Sequence, residues 1–177
     1  MDDDRKHRFE AVYRQTYESI LGYALRRCES PEDAADVVAE TFTIAWRRFD
    51  ALPPGGEARL WLYGVARNVL ANHRRGLARH RHANVALDTD LADLSAHSPE
   101  GSVELSAIAR AFRELSERDR ELISLVAWEG LDHEEIAEVL GCSRNAVRIR
   151  LYRARQRLSK ALAETGVLVA HLVVESA

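Results

Sequence analysis

The chain has 177 residues, 46% hydrophobic, 7% aromatic and 30% charged, with a formal net charge of -3. That excludes a disordered chain and suits one domain or two small ones, and scarce aromatics with abundant Ala and Leu favour helices over sheets. Two cysteines, Cys28 and Cys142, lie far apart in no metal-ligand spacing, which argues for a reducing compartment and against a disulfide scaffold.

The opening MDDDRKHRFE is charged throughout and is no signal peptide. Phe9, Val12, Tyr13, Ile20, Leu21 and Ala24 recur at helical spacing and predict a first amphipathic helix. At "ESPEDAAD" the pattern stops and restarts: Ser30 suits an N-cap, Pro31 the first helical position and Asp33 the first turn. The second helix then places Ala34, Val37, Val38, Thr41, Phe42, Ala45 and Phe49 on one face. Asp33, Asp36 and Glu40 share another face, which is either solvated or meets a basic partner protein. Two prolines and two glycines in "DALPPGGEAR" break this helix. A third is predicted over about residues 58–75, with Leu62, Val65, Ala66 and Val69 as its buried stripe.

From about residue 82 to 102 periodicity vanishes in a polar, acidic stretch, and it resumes at Val103. Ser116 caps the next helix, Asp132 and Glu135 form a capping box, Gly141 ends that helix and Ser143 caps the last. The expected fold is all-α: two small helical domains, 1–82 and 103–165, joined by a flexible acidic linker at 83–102, the second domain a helix-turn-helix. The tail 166–177 is apolar but about half the length of a membrane span. It reads as a packing segment, and the protein as soluble and cytoplasmic with no membrane role.

The last two helices carry the sharpest signal. From Cys142 to Lys160 stand Arg144, Arg148, Arg150, Arg153, Arg155, Arg157 and Lys160, with no Asp or Glu. At about 100° per residue, Val147, Leu151, Ala154, Leu158 and Ala161 gather on the buried side. Ile136, Ala137 and Leu140 do so on the preceding helix. The opposite side presents Asn145, Arg148, Ile149, Tyr152, Arg153 and Gln156, groups able to read base edges and a thymine methyl. Arg144, Arg150, Arg155 and Arg157 flank it where phosphates would lie. A merely solvated helix would mix charge signs. The leading His133 suggests a zinc helix, but the position four residues on is Ala137, so the second ligand is missing and no metal is expected.

A second basic zone lies between Leu60 and Leu87, again without Asp or Glu. Arg67, Asn68, Ala71, Arg74 and Arg75 face away from the buried stripe, with Asn72 at its edge. Trp61 is either a core residue or a stacking platform for unpaired bases, with Tyr63 close by. His73, His80 and His82 are interspersed with arginines that would repel a metal cation.

On these residues the chain resembles the bacterial RNA polymerase sigma factors of the extracytoplasmic-function group. "SPEDAADVVAETFTIAWRRF" is similar to that family's polymerase-clamp helix and "ARLWLYGVARNVLANHRR" to its minus-ten helix. "LSERDRELISLVAWEGLDHEEIAEVLGCSRNAVRIRLYRARQRL" is similar to its minus-thirty-five domain. The resemblance implies polymerase binding by Asp33, Asp36 and Glu40, and minus-thirty-five binding by Arg144, Asn145, Arg148, Ile149, Tyr152, Arg153 and Arg155. It implies minus-ten binding by Trp61, Arg67, Asn68, Asn72, Arg74 and Arg75, with loop 51–59 holding a flipped base. Linker residues Asp88, Asp90 and Asp93 would enter the polymerase RNA channel. Core RNA polymerase, promoter DNA and an anti-sigma factor are the implied partners, with no cofactor. Ile149 departs from the small polar residue common there, and "LPPGGEA" is unusually rich in Pro and Gly. Two other classes stay open: a stand-alone helix-turn-helix regulator binding an operator directly, and a helical enzyme. For the enzyme, paired carboxylates beside a histidine, a nucleophile motif and a phosphate loop are all missing.

Overall fold

A computed structural model describes residues 2–83 and 103–165, excluding the side chains of Asp2 and of residues 77–83 and 103–106. The stretch 84–102, with Asp88, Asp90 and Asp93, and the tail 166–177 lie outside the described residues. In chain order the elements are α1 (Asp2–Leu25), α2 (Pro31–Arg47), a one-turn 3-10 helix (Phe49–Ala51), α3 (Glu57–Ala83), α4 (Val103–Glu114), α5 (Glu117–Ala127), α6 (His133–Leu140) and α7 (Arg144–Glu164). The chain divides into two compact units, one carrying α1–α3 and the other α4, α5 and α7.

In the first unit α1, α2 and α3 pack on one another. Ser30 opens α2 as expected: its Oγ accepts from the Asp33 N–H at 3.1 Å, and Pro31 takes the position where a missing N–H is harmless. Every residue assigned to the apolar face of α2 is buried, with Phe49 reached through the 3-10 turn. Thr41 is tolerated there because its hydroxyl donates to the Val37 carbonyl at 2.7 Å.

The face of α1 differs from its expectation. Tyr23 is fully buried, with its ring 5.2 Å from that of Tyr63, whereas Tyr13 stays 39% exposed. The Tyr13 ring nonetheless lies 4.6 Å from Phe42, covering the core with its apolar body while its polar tip meets water. Phe49, Leu52 and Ala58 form a smaller cluster with Phe9, Val12 and Trp61, which closes the α2–α3 connection. Gly55 turns that connection at φ +64°, a conformation that L side chains rarely adopt.

Helix α3 also runs on to Ala83, past the expected end near residue 75. Beyond Arg75 the apolar period is lost, yet Arg, Leu and Ala are good helix formers. Gly76 costs about 1 kcal/mol against Ala without ending the helix.

In the second unit α7 packs on α5 and α4. Leu122 and Leu125 of α5 and Val147, Leu151 and Ala154 of α7 are buried. Ala111, Ala161 and Leu162 form a cluster in which Leu158, expected in the core, is only partly buried and Leu162 takes the covered place. Ser116 caps α5, its Oγ accepting from the Asp119 N–H at 3.2 Å.

Candidate nucleic-acid interface

The turn between α6 and α7 is built from local hydrogen bonds. Asp132 Oδ1 accepts from the backbone N–H of Glu134 at 2.7 Å and of Glu135 at 2.9 Å, and Glu135 Oε2 accepts from the Asp132 N–H at 2.9 Å. This reciprocal capping box satisfies donors at the start of α6. The N–H groups of Glu135 and then Glu134 also hold the Asp132 carboxyl below its ordinary range. At the other end, Gly141 has φ +63°. Its N–H bonds the Glu138 carbonyl at 3.2 Å, and the Cys142 N–H bonds that of Ala137 at 3.0 Å. That pair of bonds is a Schellman ending, which reverses the chain sharply and needs glycine. Ser143 Oγ then accepts from the Ala146 N–H at 3.2 Å and starts α7.

Two faces of α7 result. Val147, Leu151 and Ala154 are buried, and Ile136 and Ala137 anchor α6, with Leu140 only half-buried. Asn145, Arg148, Ile149, Tyr152, Arg153 and Gln156 are all exposed, as are Arg144, Arg150 and Arg155. Ile149 and Tyr152 leave 41% and 65% of their surfaces in water, so neither has a core role. Arg148 Nη2 donates to Asn145 Oδ1 at 3.0 Å, which orients the guanidinium on this face.

Arg157, expected to flank the face for phosphate contact, also makes an ion pair within its unit. Its Nη1 donates to both carboxylate oxygens of Asp119, at 3.0 and 2.9 Å. Asp119 is buried, and a buried carboxylate requires a cation. The partners lie 38 residues apart, beyond the reach of local pattern.

On α3, Arg67, Asn68, Ala71, Asn72, Arg74 and Arg75 are all exposed. Arg75 donates to Asn72 Oδ1 at 2.8 Å and to the Ala71 carbonyl at 3.1 Å, and Arg74 donates to the Arg27 carbonyl at 3.2 Å. Trp61 is half-buried on the Phe49–Leu52–Ala58 cluster, so its ring is divided between core and surface. Tyr63, close to Trp61 in sequence, is buried against Tyr23, because α3 turns that position inward.

The acidic residues of α2 also separate. Asp36 and Glu40 are exposed. Asp33 is half-buried, accepts from Ser30 Oγ at 2.8 Å and lies 3.4 Å from His73 Nε2 of α3. A further cationic contact escaped the sequence pattern: Arg5 donates to the Trp46 carbonyl at 2.8 Å and stacks 4.9 Å from its ring. Only the abundance of arginine in α1 hinted at it.

Among the described residues no group of three or more His, Cys, Asp or Glu is placed to hold a metal. No described helix is long and apolar enough to cross a membrane.

Comparison with known proteins places these features in a family. Residues 12–80 match the model "Sigma-70 region 2" and residues 105–158 match "Sigma-70, region 4". The chain is 30% identical over 161 residues to RNA polymerase sigma factor YlaC of Bacillus subtilis, covering 88% of this chain and 93% of that one. It is 33% identical over 162 residues to ECF RNA polymerase sigma factor SigL of Mycobacterium tuberculosis, covering 89% and 90%. The sigma factor RpoE of Bartonella quintana, solved with the anti-sigma factor NepR, is similar with a TM-score of 0.68 at 25% identity over 88% of this chain and 96% of that one.

Proposed function

The chain belongs to the sigma-70 family, in its extracytoplasmic-function group, and from that premise we propose how its residues divide the work of promoter recognition. It is a transcription initiation factor that binds core RNA polymerase and directs it to promoters. In this reading Arg148, Ile149, Tyr152 and Arg153 meet base edges of the minus-thirty-five duplex, with Asn145 orienting Arg148. Arg144 and Arg155 contact phosphates on either side. The second face, Arg67, Asn68, Asn72, Arg74 and Arg75 with the exposed part of Trp61, holds the minus-ten region. Loop 51–59 takes a flipped base. Asp36 and Glu40 face the polymerase clamp, while Asp33 mainly secures the start of α2.

One observation carries the reading: the second helix of a capped helix-turn-helix exposes Arg, Asn, Ile and Tyr side chains on the face opposite its core. Aromatic and aliphatic groups left in water on that face have no packing role, but suit base contact. Two sigma-70 regions in family order disfavour the stand-alone operator binder.

The work is recruitment rather than catalysis. Unstacking bases costs a few kcal/mol, and stacking on aromatics returns about 1–3 kcal/mol per base. Tight promoter binding therefore needs the clamp and both elements together, and the factor acts in the cytoplasm with the polymerase. A relative solved with an anti-sigma factor supports a regulator of that class here.

Arg148→Ala tests the reading. The holoenzyme should lose about 1–3 kcal/mol of promoter affinity together with discrimination at one minus-thirty-five position. Unchanged affinity and specificity in a promoter-binding titration would remove α7's exposed face from the account.

A further inference from the structure

Helix α7 is held to its unit by Val147, Leu151, Ala154, Ala161 and Leu162, all apolar. Apolar burial is non-directional, so such a seam resists separation better than it resists rolling or sliding. A bidentate, directional contact crosses it: Arg157 Nη1 donates to both oxygens of Asp119. The Asp119 side chain is only 8% exposed, and that of Arg157 is 59% exposed. Asp119 is itself fixed, because its N–H bonds Ser116 Oγ at the start of α5, where the helix dipole favours an anion.

We propose that Asp119 and Arg157 are positioning residues that set the roll and register of α7, and hence the aim of its exposed face on promoter DNA. The inference rests on the reading that this face meets the minus-thirty-five duplex. Arg157 follows Gln156 directly and lies about 13.5 Å along the axis from Arg148, at about 1.5 Å per residue. A roll of about 20° moves a side-chain tip about 6 Å from the axis by about 2 Å. Base readout tolerates roughly 0.5 Å and 10–20°. Five arginines of α7 other than Arg157 flank or join that face, and phosphate contacts, being less demanding in direction, would survive such a roll.

The charges make the proposal distinguishable from simple electrostatics. Asp119 is negative, so removing it should strengthen or leave unchanged any attraction to phosphate. Under the positioning role its removal weakens sequence preference instead. A merely structural role separates too, since replacing a buried ion pair by apolar groups is often neutral or stabilising.

The experiment uses the full chain bound to core polymerase, with a promoter that the wild-type holoenzyme opens and the same promoter with its minus-thirty-five element scrambled. Asp119→Asn, Arg157→Lys and the double variant Asp119→Leu with Arg157→Met are compared. The expected result is a loss of about tenfold in preference for the intact element, with affinity for the scrambled duplex and the salt dependence unchanged. The double variant should show this loss at a melting temperature equal to or above that of the wild type, which keeps the test valid if a single variant fails to fold. Intact preference in the folded double variant overturns the proposal. So does a fall of about 1 in the salt slope for the double variant, whose Arg157→Met change removes the positive charge, which would make Arg157 a phosphate contact. Arg148→Ala separates the two layers. If it loses preference while the pair variants keep it, positioning alone is wrong; if none loses preference, the reading of the face falls as well.

Discussion

Leu151→Ala should cost about 2–5 kcal/mol of stability and abolish promoter recognition through the minus-thirty-five element, although Leu151 touches no DNA. The side chain is 2% exposed and sits in the middle of α7's buried face, one turn from Val147 and beside Ala154. Truncation removes its transfer free energy and leaves a cavity that rigid neighbours fill poorly. A small helical unit has only about 5–15 kcal/mol of total stability, so the loss is a large share of the whole. Thermal unfolding followed by circular dichroism should show a lower midpoint, and initiation from a promoter dependent on the minus-thirty-five element should fail at temperatures where the wild type works. An unchanged midpoint would mean that α7 is not seated as described.

Charge reversal at Asp36 and Glu40, both to lysine, should raise the dissociation constant for core polymerase by about tenfold or more, or about 1.4 kcal/mol. Both side chains are exposed, while Ala34, Val37, Val38, Thr41, Phe42 and Ala45 keep α2 seated from the other face. Helicity and melting temperature should therefore change by no more than about 0.5 kcal/mol, as at other surface sites. The loss should grow at low salt, where exposed charges are least screened. Normal holoenzyme formation would reduce this face to ordinary solvated surface.

The contrast between these two sites shows what the chain discloses before it is folded. Features written in neighbouring residues were legible. The Ser30 cap, the Asp132–Glu135 box, the Gly141 ending and the apolar face of α2 each depend on residues within a few positions of one another. The exposed face of α7 was legible for the same reason, because one helical period sorts its residues into two sides. Pairings between distant segments were not. Asp119 with Arg157, Asp33 with His73, and Tyr23 with Tyr63 join residues that only tertiary packing brings together. Two of these involve residues read as sites: Arg157 pairs with the buried Asp119, and Asp33 is half-buried beside His73. The length of α3 was hidden differently, since a helix with no apolar stripe in its last turns offers no period to detect.

Mapping of transcript start sites tests the account most directly, with core polymerase supplied alone and with the full chain on a library of promoters. The chain should direct initiation to a discrete subset that shares two separated sequence elements, and scrambling either element should abolish the effect. Start sites identical with and without the chain, or operator binding by the chain that needs no polymerase, would contradict it.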